Sequence, residues 1–347
     1  MEKVLLGMSG GVDSSVAALL LKQKGYEVVG ITLEMFEKDN LKAKEEIDAK
    51  NVCANLGISH FTFDYKKEFK KYVIDDFVNC YTNCKTPNPC IECNKYMKFG
   101  VMVEKAKELG CRYIATGHYA KTEYSEKYGR WVLKKSKAGR KDQSYVLWSI
   151  PKELLEHLLF PLADFESKEE IRQIAKEHKL EVANKPDSED ICFIPDGNYK
   201  NFLEANGGIK QKVGNIVDLS GKVLGKHNGL YNYTIGQRKG LSISNKVPLF
   251  VVGFNKEKNE VIVGEEHNLY SREIFVEDYN LLLVDNIEKE LDVEVKTRYT
   301  SKLAKAKIKE VDGKIKVDFE EPQRAITPGQ SAVFYIKDIV LGGGKIK

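Results

Sequence analysis

The first 118 residues alternate between short apolar runs and longer runs with helical spacing, and this alternation restricts the fold more than any other feature. "KVLLGM" is followed by "SSVAALLLKQKG" and then by "EVVGITLEM". Strands that alternate with crossover helices form a parallel sheet covered by helices. The sequence therefore predicts an α/β fold that begins with a doubly wound parallel sheet.

The same pattern predicts the later elements of this unit. We expect "NCYTNCKTPNPCIECN" (79–94) to be a loop, followed by a helix to about Leu109 and by a strand in "RYIATG". Ser167 and Glu170 have the spacing of a capping box, which predicts a helix start.

The helical period ends at Gly207 and Gly208, and short alternating runs between Gly, Asn and Asp clusters follow. Such runs are typical of hairpins in small β barrels or sandwiches. We therefore divide the chain into residues 1–207, which form the α/β unit with a helical tail, and two small β-rich units, 208–272 and 273–347.

Composition narrows the class of protein. The chain has 347 residues, of which 42% are hydrophobic, with 55 Lys and Arg against 51 Asp and Glu. It contains no run of about 18 apolar residues, and its start resembles no signal peptide, so we expect a soluble, cytoplasmic protein without membrane partners. Seven cysteines in such a chain indicate reduced thiols used in chemistry or metal binding.

"SGGVDSS" (9–15) lies between the first strand and the first helix. Gly10 and Gly11 allow close approach of a phosphate, Ser9 and Ser14 offer hydroxyl donors, and the helix start supplies N–H groups. This pattern predicts a phosphate cradle, although an ordinary glycine-rich turn with a serine cap is the alternative. The Walker lysine is missing, and we expect Asp13 to lie near a magnesium ion and to be a catalytic residue.

The cysteine spacing allows three kinds of site. Cys80, Cys84, Cys90 and Cys93 fall within 14 residues, and Cys192 lies far away. Four thiolates at short spacing are typical of a zinc knuckle, three could hold an iron–sulfur cluster, and a pair could transfer sulfur through a persulfide. Cys53 and Cys111 have the positions of small core residues.

Two stretches are locally basic. Residues 121–142 hold eight Lys or Arg against three acidic residues, and residues 296–309 hold six against none. In the second stretch Lys305, Lys307 and Lys309 alternate with apolar residues, so a strand would present a row of cations on one face. Such rows can neutralise nucleic-acid phosphates, and an ordinary solvated face is the alternative.

"SGGVDSS" is similar to the signature of the PP-loop ATP pyrophosphatases. With "KTPNPCIECN", "DSEDICFIP", "ATGHYA", "KDQSY", "YTIGQRKGL", "RY" at 298–299, "TPGQSAVFY" and "LGGG", the whole chain resembles the bacterial tRNA-specific 2-thiouridylases. The resemblance implies that ATP activates the C2 oxygen of the wobble uridine in the tRNAs for lysine, glutamate and glutamine, and that sulfur then displaces AMP.

The resemblance also implies roles for individual residues. The phosphates of ATP would be bound by Gly7, Met8, Ser9, Gly10, Gly11, Val12, Asp13 and Ser14, and the adenosine by Met35 and Gly117. Cys93 would be the nucleophile and Cys192 the carrier of a persulfide. The target base would be held by Asn88, Pro89 and Cys90, and other parts of the tRNA by Lys141, Asp142, Gln143, Arg298 and Tyr299. The implied partners are tRNA and a sulfur donor such as a cysteine desulfurase or a sulfur-relay protein.

The chain departs from better-known members of this family at two positions. They carry an aspartate at the position of Cys90 and a glycine at the position of Asp190. A thiolate beside Cys93 makes a [4Fe–4S] cluster on Cys90, Cys93 and Cys192 chemically easier, because three soft ligands replace two. The sulfur donor is therefore expected to be either a persulfide on Cys192 or sulfide on such a cluster.

Two other functions share parts of this pattern. A PP-loop synthetase or amidotransferase that acts on a small metabolite would have the cradle without needing paired cysteines. A zinc-stabilised RNA-binding protein would use Cys80 to Cys93 without cleaving ATP.

Overall fold

A computed structural model describes residues 1–36, 40–186 and 191–347. The strands of the first unit are β1 (Lys3–Gly7), β2 (Glu27–Glu34), β3 (Ser59–Asp64), β4 (Tyr113–Ala115), β5 (Ala120–Ser125), β6 (Arg130–Lys135) and β7 (Leu158–Leu159). Its helices are α1 (Val12–Gln23), α2 (Asn40–Asn55), α3 (Lys66–Phe69), α4 (Asp75–Thr82), α5 (Pro89–Glu92), α6 (Met102–Glu108), α7 (Lys168–Glu177) and α8 (Tyr199–Gly207). Short 3-10 turns span Gly139–Lys141, Ser144–Leu147, Lys152–His157 and Glu181–Asn184.

The first unit is built on a five-stranded parallel sheet in the order β3-β2-β1-β4-β7. Its central strand carries Val4, Leu5 and Leu6, which are fully buried because helices cover both faces of the sheet. The predicted α/β fold with a doubly wound parallel sheet is confirmed.

The segment 79–94, expected to be a loop, is mostly helical. Its first residues end α4, and α5 begins at Pro89. Only residues 83–88 lack helical structure, and a π-helical stretch, Cys93–Val101, continues from α5 into α6. A second π-helical stretch, Lys70–Ile74, joins α3 to α4. No helix among the described residues is long and apolar enough to cross a membrane.

The predicted capping box at the start of α7 is confirmed. Ser167 Oγ accepts a hydrogen bond from the Glu170 N–H, and Glu170 Oε1 accepts one from the Ser167 N–H at 2.9 Å. The tail helix α8 ends at Gly208, which has a left-handed backbone with φ of 58°.

The central unit is a four-stranded sheet. Its strands are β8 (Gly214–Val217), β9 (Val223–His227), β10 (Phe250–Asn255) and β11 (Glu260–Gly264), and a 3-10 turn spans Leu230–Asn232. They form two hairpins, joined by parallel pairing of β11 with β8. Val251, Val261 and Val263 are fully buried in their core.

The last unit is a closed barrel. After a 3-10 turn (Glu266–Leu269), its strands are β12 (Tyr270–Leu281), β13 (Leu291–Lys296), β14 (Ala304–Val311), β15 (Lys314–Arg324), β16 (Ser331–Ile336) and β17 (Ile339–Ile346). They follow the order β12-β15-β14-β13-β16-β17, and β12 also pairs with β17, which closes the barrel. Both β-rich units therefore follow the α/β unit as predicted.

The barrel is extended by a hairpin that the sequence analysis did not connect with it. Strands β5 and β6 pair with each other, and β6 joins β17 through Lys134 and Ile339. Trp148 packs against Gly343 of β17, where a Cβ would lie 2.8 Å from the indole. Our division at residues 207 and 272 places this hairpin in the first unit by sequence, although its hydrogen bonds link it to the last unit.

Candidate active site

The candidate nucleotide site lies at the carboxyl edge of the parallel sheet, where the strand order reverses. The chain passes from β1 to β2 and β3 on one side, whereas β4 pairs with β1 on the other side. Ligands bind in the crevice that forms at such a switch point. The residues predicted to bind ATP all follow these strands: 7–14 at the end of β1, Met35 after β2 and Gly117 after β4.

The turn from β1 to α1 has the geometry of an anion cradle. The Ser9 N–H donates to Ser14 Oγ at 3.3 Å, and the Gly11 N–H donates to Ser9 Oγ at 3.4 Å. Gly10 has a φ of 69°, and a Cβ there would lie 2.0 Å from the Glu45 carbonyl oxygen, so only glycine fits. Among the described residues no side chain caps α1, so the N–H groups of its first turn can bind an anion.

Three other residues predicted to bind ATP have different environments. Met8 and Val12 are buried, so their backbone rather than their side chains can face a ligand. Gly117 lies against the cradle, where a Cβ would come within 2.9 Å of the Ser14 nitrogen. A larger residue at Gly117 would displace the first turn of α1.

Asp13, predicted to be catalytic, is held by two residues that the sequence analysis did not select. Its carboxylate accepts a 2.8 Å hydrogen bond from the Tyr119 hydroxyl and forms an ion pair with Lys168. Lys168 is the first residue of α7, and its side chain is 10% exposed. A lysine remote in sequence thus lies beside the cradle that lacks the Walker lysine. The capping box fixes where α7 begins, but no spacing in the sequence connects Lys168 with Asp13.

A second remote lysine also contacts the cradle. Lys185 Nζ donates to the Gly10 carbonyl at 3.0 Å and lies 3.0 Å from Asp48 Oδ2. Together Lys168 and Lys185 place two cations beside the predicted phosphate site, where they can offset the charge of a bound polyanion.

The predicted sulfur site lies on the helical segment after residue 88. Asn88 caps α5, because its Oδ1 accepts a 3.2 Å hydrogen bond from the Cys90 N–H, and Pro89 occupies the first helical position. Cys93 begins the π-helical stretch, a form that occurs frequently at functional sites. Asn88 and Pro89 thus set the orientation of both cysteines.

Cys93 is buried, and its surroundings keep the thiol protonated. Burial raises the pKa of Cys93 to about 12; Lys98 opposes this shift, and the thiols of Cys192 and Cys90 add to it. Cys93 Sγ lies 4.0 Å from the Sδ of Met35, the residue predicted to contact adenosine. The predicted sulfur and nucleotide sites therefore adjoin each other.

Cys192 lies on the same core as Cys93. It is exposed, whereas the next residue, Phe193, is buried with ring centroids 5.6 Å from Phe69 and 5.5 Å from Phe77. Phe193 and Cys93 belong to one hydrophobic cluster. Asp190, one of the two departures from the family pattern, lies outside the described residues.

The cysteines do not form a metal site in this structure. Within the described parts of the chain, no group of three or more His, Cys, Asp or Glu side chains has the geometry to hold a metal ion. Cys90 and Cys192 lie close enough to Cys93 for their charges to raise its pKa, and Cys80 Sγ contacts Asp76 Oδ2 at 3.8 Å. The described residues therefore support neither the [4Fe–4S] cluster nor the zinc knuckle, and we derive no step through either.

Lys98 lies within electrostatic range of Cys90 and Cys93 and also contacts His118. Lys98 Nζ is 3.5 Å from His118 Nε2, and His118 Nδ1 is 2.7 Å from Thr116 Oγ1. Burial lowers the pKa of His118 well below 6.5, and Lys98 lowers it further, so the imidazole is neutral at pH 7. Lys98 was missed by the sequence analysis, because a single lysine on a helix carries no signal of its own.

Residues 141–143, which are predicted to contact tRNA, differ in exposure and in their hydrogen bonds within the protein. Lys141 is exposed, whereas Asp142 is buried and accepts hydrogen bonds from Ser136 N and Ser144 Oγ at 2.9 and 2.7 Å. Burial raises the pKa of Asp142, and those hydrogen bonds oppose the shift. Gln143 Oε1 accepts a hydrogen bond from the Tyr119 N–H at 2.9 Å. Direct contact with tRNA therefore remains a prediction that Lys141 satisfies most easily.

Arg298 and Tyr299 lie at the junction of the three units. Arg298 donates to the Ala325 carbonyl at 3.0 Å and contacts the Thr327 hydroxyl. Burial raises the pKa of Tyr299, and the charges of Asp142, Lys141 and Cys90 also act on it. Tyr299 therefore lies within electrostatic range of three other predicted tRNA-binding residues, Lys141, Asp142 and Cys90.

Some lysines of the two basic stretches pair with acidic residues of the protein. The lysines of β14 are exposed as predicted, but Lys307 pairs with Glu290 at 3.0 Å, and acidic residues of β13 lie opposite Lys305 and Lys307. In the first stretch Lys134 pairs with Glu123 and Asp338 at 2.7 and 2.9 Å. These contacts favour the alternative of a solvated face.

Three family models match consecutive parts of the chain, in the same order as the three units. Residues 2–196 match a tRNA methyl transferase HUP domain, residues 200–265 a tRNA methyl transferase PRC-barrel domain, and residues 271–346 an aminomethyltransferase β-barrel domain. These matches include most of the chain.

Curated relatives match along the whole length. A tRNA-specific 2-thiouridylase MnmA of Clostridium botulinum (strain Alaska E43 / Type E3) is 49% identical over 359 residues, covering 100% of this chain and 98% of the relative. One from Clostridioides difficile (strain 630) is 46% identical with the same coverage. The chain belongs to the tRNA-specific 2-thiouridylase family.

The chain of this 2-thiouridylase family member is also similar, much more weakly, to a solved structure. A 4-thiouridine synthetase in complex with RNA and ATP is 21% identical, with a TM-score of 0.38, over 59% of this chain and 50% of that chain. A similarity this weak adds nothing to the family assignment.

Proposed function

We propose that the protein replaces the C2 oxygen of the wobble uridine of tRNA with sulfur, in an ATP-dependent reaction. One contact carries the proposal: Met35, beside the nucleotide cradle, touches Cys93 with a sulfur–sulfur distance of 4.0 Å. A nucleotide site and a buried thiol side by side suit a reaction in which AMP is attached to a base and sulfur then displaces it. Full-length relatives named tRNA-specific 2-thiouridylases support the substrate.

In the first step the uridine C2 oxygen attacks the α-phosphate of ATP, and pyrophosphate leaves. The N–H groups at the start of α1 and the hydroxyls of Ser9 and Ser14 bind the phosphates. Lys168 and Lys185 offset the charge of the leaving pyrophosphate. A magnesium ion would be held by the phosphates with Asp13 and would supply further neutralisation.

In the second step sulfur replaces the activated oxygen. Cys93 attacks the inner sulfur of a persulfide on Cys192, which forms a Cys93–Cys192 disulfide and releases hydrosulfide. The hydrosulfide attacks C2, and AMP leaves with the former C2 oxygen. A small-molecule thiol then reduces the disulfide. A separate sulfur-donating protein would reload Cys192, whose exposure suits such an exchange.

Burial makes the thiolate of Cys93 scarce in the protein without ligands. A thiolate is needed for the attack, and the pKa of Cys93 is raised to about 12. Lys98 is the cation whose charge lowers this pKa, so we assign it the stabilisation of the thiolate.

Pyrophosphate release with and without tRNA tests the proposal. We expect release only with tRNA that carries a wobble uridine. Cys192→Ser should retain tRNA-dependent pyrophosphate release but form no 2-thiouridine. Cys84→Ser, a matched control at a half-buried cysteine, should both release pyrophosphate and form 2-thiouridine. Release without tRNA would favour a synthetase acting on a small metabolite. Full 2-thiouridine formation by Cys192→Ser would contradict the sulfur step.

A further inference from the structure

The C-terminal barrel contacts the helical segment that carries Cys90 and Cys93. Lys345, on β17, extends its ammonium group to Glu92 Oε1 at 3.0 Å and to Asp76 Oδ1 at 3.6 Å. Glu92 immediately precedes Cys93, and its side chain is 9% exposed. One lysine of the barrel therefore links α4 to the residue adjacent to the predicted nucleophile.

A second part of the barrel contacts the same segment independently. The Thr86 N–H donates to the Pro328 carbonyl at 2.9 Å, and Gln330 Nε2 donates to the Thr86 carbonyl at 2.8 Å. Gly329 has a φ of 89°, and a Cβ there would lie 2.9 Å from Lys85 Cβ. The turn 327–330 is thus closely fitted to residues 85–87, which lead into α5.

The Glu92 end of these ion pairs is almost closed to water at 9% exposure, whereas the side chains of Lys345 and Asp76 are 28% and 29% exposed. A cavity of about 10 Å³, lined by Asp76, Glu92 and Lys345 among others, has room for about one water molecule. Ion pairs that are screened by little water hold their partners more strongly than surface pairs do. Removing the lysine would leave the carboxylate of Glu92 buried without its cation, which proteins relieve by local rearrangement.

We propose that Lys345 is a positioning residue for the sulfur-transfer step: the barrel fixes the place of Cys93 through Glu92. The role in sulfur transfer rests on the proposed function, whereas the control of Cys93 by the barrel does not. Residues 83–88 are not helical, although Lys85 donates to the Cys80 carbonyl at the end of α4 and Asn88 caps α5. The barrel contacts of Thr86 add to these bonds, so the barrel helps to set the position of this segment and of the cysteines that follow.

The first test measures how fast iodoacetamide modifies Cys93, located by peptide mapping of the full-length protein. Lys345→Met should raise the rate by about tenfold or more, because α5 opens locally when Glu92 loses its cation. Lys345→Arg should keep the wild-type rate. The matched control is Lys316→Met, since Lys316 is a barrel lysine that also has two carboxylate partners, Glu273 at 2.6 Å and Asp318 at 2.9 Å.

The second test measures 2-thiouridine formation by the same variants. Lys345→Met should lower kcat by up to about 100-fold through misplacement of Cys93, with the KM for ATP unchanged. Glu92→Gln removes the ion pair without leaving a buried unpaired carboxylate, so it tests the same contact if Lys345→Met does not fold. It should lower kcat in the same direction.

Wild-type rates of both alkylation and thiolation in Lys345→Met and Glu92→Gln would overturn the inference. Equal effects of Lys316→Met and Lys345→Met would do so too, because they would indicate general loosening of the barrel. If the wild-type protein forms no 2-thiouridine, the proposed function fails, and the alkylation comparison still decides whether the barrel positions Cys93.

Discussion

At the scale of single residues, the cradle depends on charges that come from distant parts of the chain. Asp13 lies in the first turn of α1, at the predicted phosphate site, and an unpaired carboxylate there would repel ATP. Lys168 removes that repulsion in the free protein. When ATP and magnesium bind, the same lysine can turn to a phosphate, so we expect it to contribute to nucleotide affinity.

Lys168→Met should raise the KM for ATP by about 10- to 100-fold, because a hydrogen bond to a charged group usually changes affinity by about that factor. Lys176→Met, on the exposed face of the same helix, is the matched control and should leave KM unchanged. The measurement is tRNA-dependent pyrophosphate release at varied ATP. An unchanged KM in Lys168→Met would show that the lysine serves only the fold.

The reactivity of Cys93 gives a second prediction at this scale. Because the pKa of Cys93 is about 12, its alkylation at pH 7–8 should be slower than that of exposed Cys192 and should rise steadily with pH. Lys98→Met removes the opposing cation and should slow alkylation of Cys93 further, whereas Lys95→Met, on the exposed face, should not. Equal rates for Cys93 and Cys192 at pH 7 would contradict the burial argument.

At the scale of elements, the sequence predicts those helix starts and ends that depend only on residues close together in the chain. The cradle, the capping box of α7 and the glycine after α8 are local and were predicted. The segment 79–94 was not, because Pro87 and Pro89 interrupt the helical period and conceal the two helices on either side. The pairing of β6 with β17 joins residues about 200 apart, and no local pattern records it.

The cap of α7 links an element to the site, because Lys168 is the first helical residue after Ser167. Ser167→Ala should lower the free energy of unfolding by about 1 kcal/mol and also raise the KM for ATP, while Ser167→Asp should preserve both. Denaturant unfolding and pyrophosphate release measure the two effects. A loss of stability with an unchanged KM for ATP would contradict the link, because it would mean that the start of α7 does not affect ATP binding.

At the scale of the whole molecule, the fold was accessible from sequence because buried parallel strands appear as apolar runs and β-rich units as short alternating ones. The contacts between the units could not be predicted from the sequence. Lys345 with Glu92, and Arg298 with the Ile235 carbonyl, join residues whose pairing depends on how the three units pack. The row of lysines on β14 illustrates the same limit, since its acidic neighbours lie on the adjacent strand β13.

Three buried thiols of the first unit make stability depend on pH in the alkaline range. Burial raises the pKa of Cys53 and Cys80 to about 11 and that of Cys93 to about 12, from an ordinary value of 9.0. The folded state keeps these protons longer than the unfolded state, so stability is complete below pH 9 and falls as pH rises towards 11–12. Each thiol contributes a slope of about 1.4 kcal/mol per pH unit.

Denaturant unfolding between pH 8 and 11 measures this slope. Cys53→Ala should make it shallower, whatever the variant does to stability at pH 8, because one titrating group has been removed. An identical slope in the variant would mean that Cys53 is not buried as a thiol.

The central claim is that AMP is attached to the C2 oxygen of uridine before sulfur arrives. A tRNA assembled with ¹⁸O at C2 of its wobble uridine tests this claim most directly, by mass spectrometry of the AMP released during 2-thiouridine formation. The account predicts one ¹⁸O in AMP for each 2-thiouridine formed. Unlabelled AMP accompanying 2-thiouridine would contradict it, because the oxygen would then have left without ever being bonded to phosphorus.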